Sequence, residues 1–292
     1  MRVLEASREM TKVSLDLRAK GEEIALVPTM GALHGGHVSL LERARGENNV
    51  LVMSLFVNPT QFAPGEDYEA YPRDRAGDLG KAQEAGVDLV FAPTVEEMYP
   101  PRDKTPVRVD GLSERLCGVF RPGHFQGVTA AVAKLFEIVR PHRAYFGKKD
   151  YQQWVILRRM TQDLGMEVEV IGCPTVRDPD GLATSSRNVY LSEVERAQAR
   201  ALPRALRGVQ EAVRGGDSTP VPLVAEARRL MKEAGLQVEY VALVHPETLE
   251  DLEKVEGPAV VLAAVWCGRA RLIDNMELGE GEKEFGGDVL YE

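Results

Sequence analysis

Pro28-Thr29-Met30-Gly31-Ala32-Leu33-His34-Gly35-Gly36-His37 lies between an apolar run, Ile24-Ala25-Leu26-Val27, and a stretch in which Val38, Leu40, Leu41 and Ala44 recur at helical spacing. The run predicts a short buried strand and the periodic stretch a helix, so the glycines fall in a strand-to-helix turn. Such a turn places the first amides of a helix at its mouth. Four of them lack an intrahelical partner and the helix dipole is positive there, which suits an anion. Gly31, Gly35 and Gly36 carry no Cβ, leaving room through which a triphosphate is expected to approach the backbone.

The spacing Gly31-x-x-x-x-Gly36 is that of a P-loop, but His37 stands where that loop has lysine and Val38 where it has the magnesium-binding hydroxyl. The pattern Gly-x-Gly-x-x-Gly is also missing from the turn, which disfavours a dinucleotide-binding dehydrogenase. What remains is His34-x-Gly36-His37. Three readings of the pair stay open. A zinc site would need a further ligand, and none stands close in sequence. One imidazole could cap the turn while the other packs. Or both donate hydrogen bonds to nucleotide phosphates, since a neutral imidazole still has one N–H to give. Fixed donors would then stabilise the charge that builds on an α-phosphoryl group under attack, and His37, nearest the helix start, is placed in that role.

Outward from the turn, residues 50–57 are almost wholly apolar, as a strand covered on both faces should be, and end at Asn58-Pro59-Thr60-Gln61-Phe62. Ligands gather at the carboxyl ends of strands in open α/β sheets. Asn58 and Gln61 are therefore candidates to meet a hydroxyl or a carboxylate, with turn chemistry around Pro59 as the alternative. Residues 64–75 are polar and turn-rich, a candidate mobile flap. Residues 79–85 predict a helix and 87–91 a strand. Arg121 and His124 come just before a helix expected over 129–140, placed to hold an anionic substrate or else to cap that helix or pair with acids. A strand at 144–146 leads into Gly147-Lys148-Lys149-Asp150, repeating the order strand, glycine, helix. Lysines there suit phosphates and Asp150 a ribose hydroxyl, a solvated charge run being the alternative. With a further strand at 167–171, five strands alternate with helices before residue 175. That predicts an α/β fold with a Rossmann-like doubly wound parallel sheet over residues 1–175.

Beyond Pro174 the texture changes. Residues 176–188 begin as a turn and continue as Thr184-Ser185-Ser186-Arg187, hydroxyls beside a guanidinium, which form phosphate clamps in some sites and helix caps in others. Amphipathic helices from Glu193, with a kink at Pro203, and from about Val221 precede strands at 238–244, 260–265 and 271–273. They predict a second, smaller α+β domain over 176–292. Six acids and one lysine follow Asn275, which predicts a loosely held acidic tail.

The chain has 292 residues and 44% hydrophobic content, ample for buried cores. A formal net charge of −9 disfavours a nucleic-acid surface but leaves room for a local anion pocket. Cys117, Cys173 and Cys267 are far apart and form no Cys-x-x-Cys. They read as buried small hydrophobes in a reducing compartment, not as a zinc knuckle or a disulfide framework. No run of about 18 apolar residues and no charged-then-apolar leader is present, so a cytoplasmic protein without a membrane partner is expected.

Five motifs, taken in order, closely resemble those of the pantothenate synthetase (pantoate–β-alanine ligase) family within the HxGH nucleotidyltransferase superfamily. They are residues 28–34 with Gly36-His37, Phe56-Val57-Asn58-Pro59 with Gln61-Phe62, Arg121-Pro122-Gly123-His124-Phe125 with Gly127-Val128, Lys149-Asp150-Tyr151-Gln152-Gln153, and Ser185-Ser186-Arg187-Asn188. The resemblance covers the chain to about Asn275. It implies a homodimeric relative of class I aminoacyl-tRNA synthetases that uses ATP and Mg2+, with the smaller domain closing over the nucleotide. Pantoate carboxylate would attack the α-phosphorus to give pantoyl adenylate and pyrophosphate. The β-alanine amine would then attack the acyl carbon, releasing AMP and pantothenate. By the same resemblance ATP meets Met30, Gly31, Ala32, Leu33, His34, Gly35, Gly36 and His37, Gly147, Lys148, Lys149 and Asp150, Val176, and Thr184, Ser185, Ser186 and Arg187. Pantoate meets Gln61 and Gln153, β-alanine lies near Gln61, and His37 is catalytic. Asn58, Arg121 and His124 are kept as further substrate contacts, and no metal ligand is assigned. Lys148 stands where the family usually has Glu or Gln and Thr184 where it usually has Met; both are expected to meet ATP through backbone atoms, with function retained and affinity altered. Two alternatives are an adenylyltransferase of another small cofactor precursor and a nucleotide-binding sensor. The amides of Asn58, Gln61 and Gln153, surplus to what ATP needs, favour the ligase.

Overall fold

The computed structural model describes residues 1–101, 103–279 and the backbone of 289–290. The chain forms two compact units. The first comprises Met1–Glu114, Arg121–Gly147 and Gln153–Cys173; the second comprises Arg115–Phe120, Lys148–Gln152 and the chain from Pro174. Two short segments that precede residue 174 thus group with the C-terminal unit, and the division is not a single cut.

The first unit holds strands β1 (Arg2–Leu4), β2 (Ile24–Thr29), β3 (Val50–Leu55), β4 (Leu89–Phe91), β5 (Arg143–Gly147) and β6 (Glu169–Cys173). They form one sheet in the order β1-β4-β3-β2-β5-β6, every pairing parallel. Helices α1 (Ser7–Ala19), α2 (Gly35–Glu47), α3 (Arg75–Glu84), α4 (Val95–Met98), α6 (His124–Val139) and most of α7 (Tyr151–Asp163) belong to the same unit, whereas α5 (Cys117–Phe120) lies in the second. Ala25, Val27, Leu51, Met53, Val90 and Tyr145 pack with Leu40, Leu41 and Ala44 of α2 and Ala82 of α3. The alternate strand residues Ile24, Leu26, Val52 and Phe91 are equally buried, so both faces of the sheet are covered. The doubly wound sheet is as expected. It gains a sixth strand, β1, whose three residues are too few to carry a periodic signal.

The chain steps from β2 to β3 to β4 in one direction and then crosses to β5 on the other side of β2, so the order reverses between the carboxyl ends of β2 and β5. Pro28 is tolerated in β2 because pairing with β5 stops at Leu26, opposite Ala144, and no donor is needed on that side beyond it. Two boundaries differ from expectation. Helix α6 starts at His124, five residues earlier than predicted, with Gly123 in the left-handed region as its cap. Where one kinked helix was expected from Glu193, α8 (Glu193–Ala199) ends and α9 (Ala201–Arg214) begins about Arg200. Pro203 lies in the first turn of α9, where an N–H has no intrahelical acceptor, so it fits the start of a new helix instead of bending an old one.

The second unit contains β7 (Val176–Arg177), α8, α9, α10 (Pro220–Glu233), β8 (Gln237–Val244), β9 (Ala259–Cys267), β10 (Ala270–Leu278) and β11 (Val289–Leu290). An antiparallel sheet ordered β10-β9-β8 carries a core in which Val241, Leu243, Val261, Ala263, Val265 and Leu272 meet Leu202, Leu206 and Val209 of α9 and Leu223, Ala227 and Met231 of α10. The backbone of β11 pairs in parallel with β7. The tail expected after Asn275 starts later, because β10 runs on to Leu278; most of the remainder lies outside the described residues. No described helix is long and apolar enough to cross a membrane.

His142, just before β5, gives the first unit a pH-dependent tie. Its Nδ1 accepts the Ile24 N–H at 2.9 Å, while its backbone N–H donates to the Ile24 carbonyl. Burial, followed by the charge of Arg18, holds its pKa below the ordinary 6.5 against the opposing pull of Glu23. The unfolded chain therefore takes up a proton before the folded one. This contribution to stability is complete above the unfolded value and is lost as pH falls from about 6.5 through the lower folded value. The denaturation midpoint is expected to drop between about pH 7.5 and about pH 5.5, and to drop less in His142→Asn, whose amide oxygen can accept from Ile24 without titrating. Equal drops in the two proteins would remove His142 from the pH response.

Candidate active site

At the end of β2 the backbone turns through two left-handed residues, Gly31 at φ +84° and Ala32 at φ +50°. A non-glycine residue there costs about 1–2 kcal/mol, so other contacts must hold it. Asp78 of α3, only 2% exposed, supplies them. Its Oδ2 accepts the Ala32 N–H at 3.0 Å and its Oδ1 the Leu33 N–H at 2.7 Å. Lys81, one turn further along α3, donates from Nζ to the Leu33 carbonyl at 2.6 Å. A Cβ on Gly31 would come within 2.8 Å of Asp78 Oδ2 and 3.0 Å of the Leu55 side chain. The room left by that glycine is thus taken by Asp78, not by a phosphate.

Next along the turn, His34 is the N-cap of α2. Its Nδ1 accepts the Gly36 N–H at 3.2 Å, and His37 Nδ1 accepts the His34 N–H at 3.3 Å. The His37 N–H donates to the His34 carbonyl and the Gly31 N–H to the Thr29 hydroxyl. Six amides between Gly31 and His37 are therefore engaged within the protein, and the expected open nest of backbone donors is not what the turn offers. The imidazoles take its place. With each Nδ1 accepting, the neutral ring carries its proton on Nε2, so both tautomers are set as Nε2–H donors at the positive end of a helix. The rings stand 4.1 Å apart between centroids, tilted by 38°, and neither is buried. The capping role considered for one histidine is real for His34, and His37 supports it through its own Nδ1.

Beside this turn, Gln61 closes a one-turn 3-10 helix, Pro59–Gln61, capped by Asn58. Asn58 is buried. Its Nδ2 donates to Gln61 Oε1 at 3.0 Å and to the Gly127 carbonyl at 3.1 Å, while its Oδ1 accepts from the Thr60 N–H, the Thr60 hydroxyl and the Tyr99 hydroxyl. Of the two readings of Asn58, these bonds are the turn chemistry around Pro59, and they orient the Gln61 amide. The Gln61 NH2 group faces Met30 Sδ at 3.4 Å, which joins this amide to the histidine turn. Gln153 is half-buried on α7.

Arg121 and His124 take up the second reading given for them, Arg121 pairing with an acid and His124 bonding to Arg121. Arg121 makes two hydrogen bonds to Glu66, from Nε at 2.7 Å and from Nη2 at 2.6 Å, and Nη2 also reaches the Gln61 carbonyl at 3.2 Å. Since a guanidinium only donates, His124 Nε2 accepts from Arg121 Nη1 at 3.1 Å. Its Nδ1–H then donates to the Gln61 carbonyl at 2.8 Å. Burial raises the Glu66 pKa, but the Arg121 hydrogen bonds and charge outweigh it, leaving the carboxyl below its ordinary value. The cation expected for a substrate anion is paired with an acid, and the acid comes from the candidate flap, so residue 66 is tied to the start of α6. Aromatic contacts of Phe62 with Tyr68 and Tyr71 hold the same segment.

In the second unit, β10 organises the remaining candidates. Asn275 Nδ2 donates to the carbonyls of Lys148 and Lys149 at 2.9 and 3.0 Å, and Lys148 Nζ meets both oxygens of Glu277 at 2.9 and 3.0 Å. Lys148 is buried, Lys149 half-buried and Asp150 exposed. Asp274 holds Arg177 through two hydrogen bonds, at 2.8 and 3.0 Å, each side chain 1% exposed. Breaking such a buried pair costs about 3–5 kcal/mol. Asp178 then gathers the loop that follows: it accepts from the Thr184 hydroxyl at 2.7 Å, from Asn188 Nδ2 at 3.2 Å and from Arg196 Nη2 at 2.8 Å. Burial opposes ionisation of Asp178, yet these donors, Thr184 first, carry its pKa below the ordinary value. Ser185 caps the next 3-10 turn by accepting the Arg187 N–H at 3.3 Å. The side chains of Lys148 and Thr184 are thus both bonded inside this unit. Sequence reading missed Asp78, Glu66, Asp274 and Glu277. Their partners lie dozens of residues away, and only the His34–His37 capping pair had a legible local signal, the spacing of a capping box.

A doubly wound parallel sheet with paired imidazoles, in place of a P-loop lysine, at the turn from β2 to α2 defines a Rossmann-like α/β enzyme of the HxGH type. Comparison with known proteins narrows the class. The sequence model of the Pantoate-beta-alanine ligase family matches residues 2–277. A pantothenate synthetase of Thermotoga neapolitana is 52% identical over 280 residues, covering 96% of this chain and all of the relative. The crystal structure of pantothenate synthetase from Thermus thermophilus superposes with a TM-score of 0.87 at 50% identity, over 96% of this chain and 100% of that one. A pantoate-β-alanine ligase from Francisella tularensis, complexed with β-γ ATP and β-alanine, gives a TM-score of 0.80 at 31% identity, over 98% of this chain and 99% of that one. The chain belongs to the pantoate–β-alanine ligase family, and the resemblance read from its five motifs is borne out. Its activity is the family's, ligation of pantoate to β-alanine.

Proposed function

We propose that this chain works through pantoyl adenylate. A pantoate carboxylate oxygen bonds to the α-phosphorus of ATP as pyrophosphate leaves. The β-alanine amine then bonds to the acyl carbon, AMP leaves with the bonding electron pair, and the amine gives up a proton. The observation that carries this reading is the pair of imidazoles at the head of α2, each accepting a backbone N–H at Nδ1, the arrangement that favours the proton on Nε2, next to a Gln61 amide turned by Asn58 and Met30. Charge growing on the α-phosphoryl oxygens is stabilised by donors that need not reorganise, and His37 is the principal one. Gln61 and Gln153 seat pantoate, and Gln61 also meets β-alanine. The family resemblance supports ATP contacts by Met30 to His37, Gly147 to Asp150, Val176 and Thr184 to Arg187. It likewise supports a homodimer in the cytoplasm and a C-terminal unit that acts as a lid. Magnesium enters with the triphosphate. Among the described residues no three His, Cys, Asp or Glu side chains are grouped to hold an ion, and Mg2+ is often carried by substrate phosphates and water.

The test follows pyrophosphate and AMP separately while ATP, pantoate and β-alanine are each omitted in turn. Pyrophosphate is expected with ATP and pantoate alone, in an amount comparable to enzyme, and AMP only with all three. Pyrophosphate without AMP in the full mixture would point instead to adenylyl transfer, and neither product to a nucleotide sensor.

A further inference from the structure

The geometry points to Asp78, assisted by Lys81, as a positioning residue for the histidine pair. The inference rests on the proposed role of His34 and His37. Two residues three apart on α3 make all three of the bonds described to Ala32 and Leu33: Asp78 to both N–H groups and Lys81 to the Leu33 carbonyl. These are the residues at which the chain leaves its left-handed turn, and the next one along is His34. The direction taken at Leu33 sets where His34 caps α2. That in turn sets His37, whose Nδ1 takes the His34 N–H. Asp78 thus acts on both imidazoles through the backbone without touching the reaction. Helix α3 does not depend on it for its start, since Asp74 caps that helix through the Gly77 N–H at 3.0 Å.

The charge of Asp78 separates positioning from field. A buried carboxylate beside a phosphate site opposes anion binding, so on electrostatic grounds alone Asp78→Asn should tighten ATP and leave turnover intact. Positioning gives the opposite outcome for turnover. An asparagine can accept from only one of the two amides and sets its NH2 against the other, so the turn relaxes and the donors shift. A displacement near 1 Å at such a site costs up to about 100-fold in rate.

The experiment measures kcat and KM for ATP and for pantoate in pyrophosphate release, with full-length wild type, Asp78→Asn and Lys81→Met, alongside thermal melting. Asp78→Asn is expected to lose at least about 30-fold in kcat while KM for pantoate, seated by Gln61, stays within about threefold. Lys81→Met is expected to show a smaller loss of the same kind, about threefold to tenfold. If Asp78→Asn does not fold, the Lys81→Met split decides alone. Folded variants with kcat within about twofold of wild type, or with losses confined to KM, would overturn the assignment. Wild type that releases no pantoate-dependent pyrophosphate would instead overturn the underlying mechanism, before any variant is compared.

Discussion

His37→Ala is expected to slow adenylate formation by about 2–4 kcal/mol of barrier, roughly 30- to 800-fold, the usual loss for one fixed donor to a developing oxyanion. The structure shows why alanine alone is an ambiguous variant. Besides its proposed donor role at Nε2, the imidazole accepts the His34 N–H at Nδ1, so its removal also takes away its half of the capping pair at the head of α2, while His34 keeps the Gly36 N–H. Two further variants divide these roles. Asparagine can place its amide oxygen near the Nδ1 position and keep the acceptor, but it is too short to reach as Nε2 does. Glutamine extends a donor toward the Nε2 position and gives up the local acceptor. His37→Asn is therefore expected to melt like wild type and to be nearly as slow as the alanine variant, while His37→Gln melts lower and keeps more of the rate. Pyrophosphate release in single turnover, read beside thermal melting, checks both. An asparagine variant with wild-type turnover would show that His37 serves only the helix.

Gly127→Ala is expected to damage both stability and pantoate recognition. In most helices this exchange is favourable by up to about 1 kcal/mol. Here an added Cβ would lie 2.3 Å from the Thr60 carbonyl oxygen, 2.5 Å from its carbon and 2.7 Å from the Gln61 nitrogen. All three are backbone atoms, so no side chain can rotate out of the way. Either α6 or the Pro59–Gln61 turn must move. The Gly127 carbonyl also holds Asn58, so the Gln61 amide loses its orientation along with its place. Overpacking of this kind costs about 1–3 kcal/mol of stability. KM for pantoate is expected to rise at least about tenfold, with KM for ATP changed far less, because the histidine turn has its own supports. A variant that melts higher than wild type with unchanged pantoate KM would show that the helix tolerates the methyl group.

Much of the site was legible because its signals are local. The strand, turn and helix around residues 28–37 follow from an apolar run and a helical period, and the parallel sheet follows from strands alternating with helices. Gly127 was legible only as part of a family motif, since the helix was expected to begin at residue 129; its close approach to Thr60 and Gln61 appears only in the fold. Other features had no local mark. Asp78 sits in a polar stretch like any surface acid, and only folding places it 45 residues back along the chain against Leu33. Glu66 and Arg121 are 55 residues apart, and each alone reads as a solvent-facing charge.

The linear order of residues determined the architecture, the family and which side chains are candidates for chemistry, because periodicity, turn residues and motif spacing act over a few positions at a time. The tertiary structure decided which atoms of those residues can act. Asp78 and the two Nδ1 atoms occupy the amides that a glycine turn would otherwise offer, Glu66 takes up Arg121, and Asn58 turns inward to orient Gln61. A hydrogen-bonding group is available to a substrate only when no partner from elsewhere in the fold has already met it, and that depends on contacts between residues far apart in sequence.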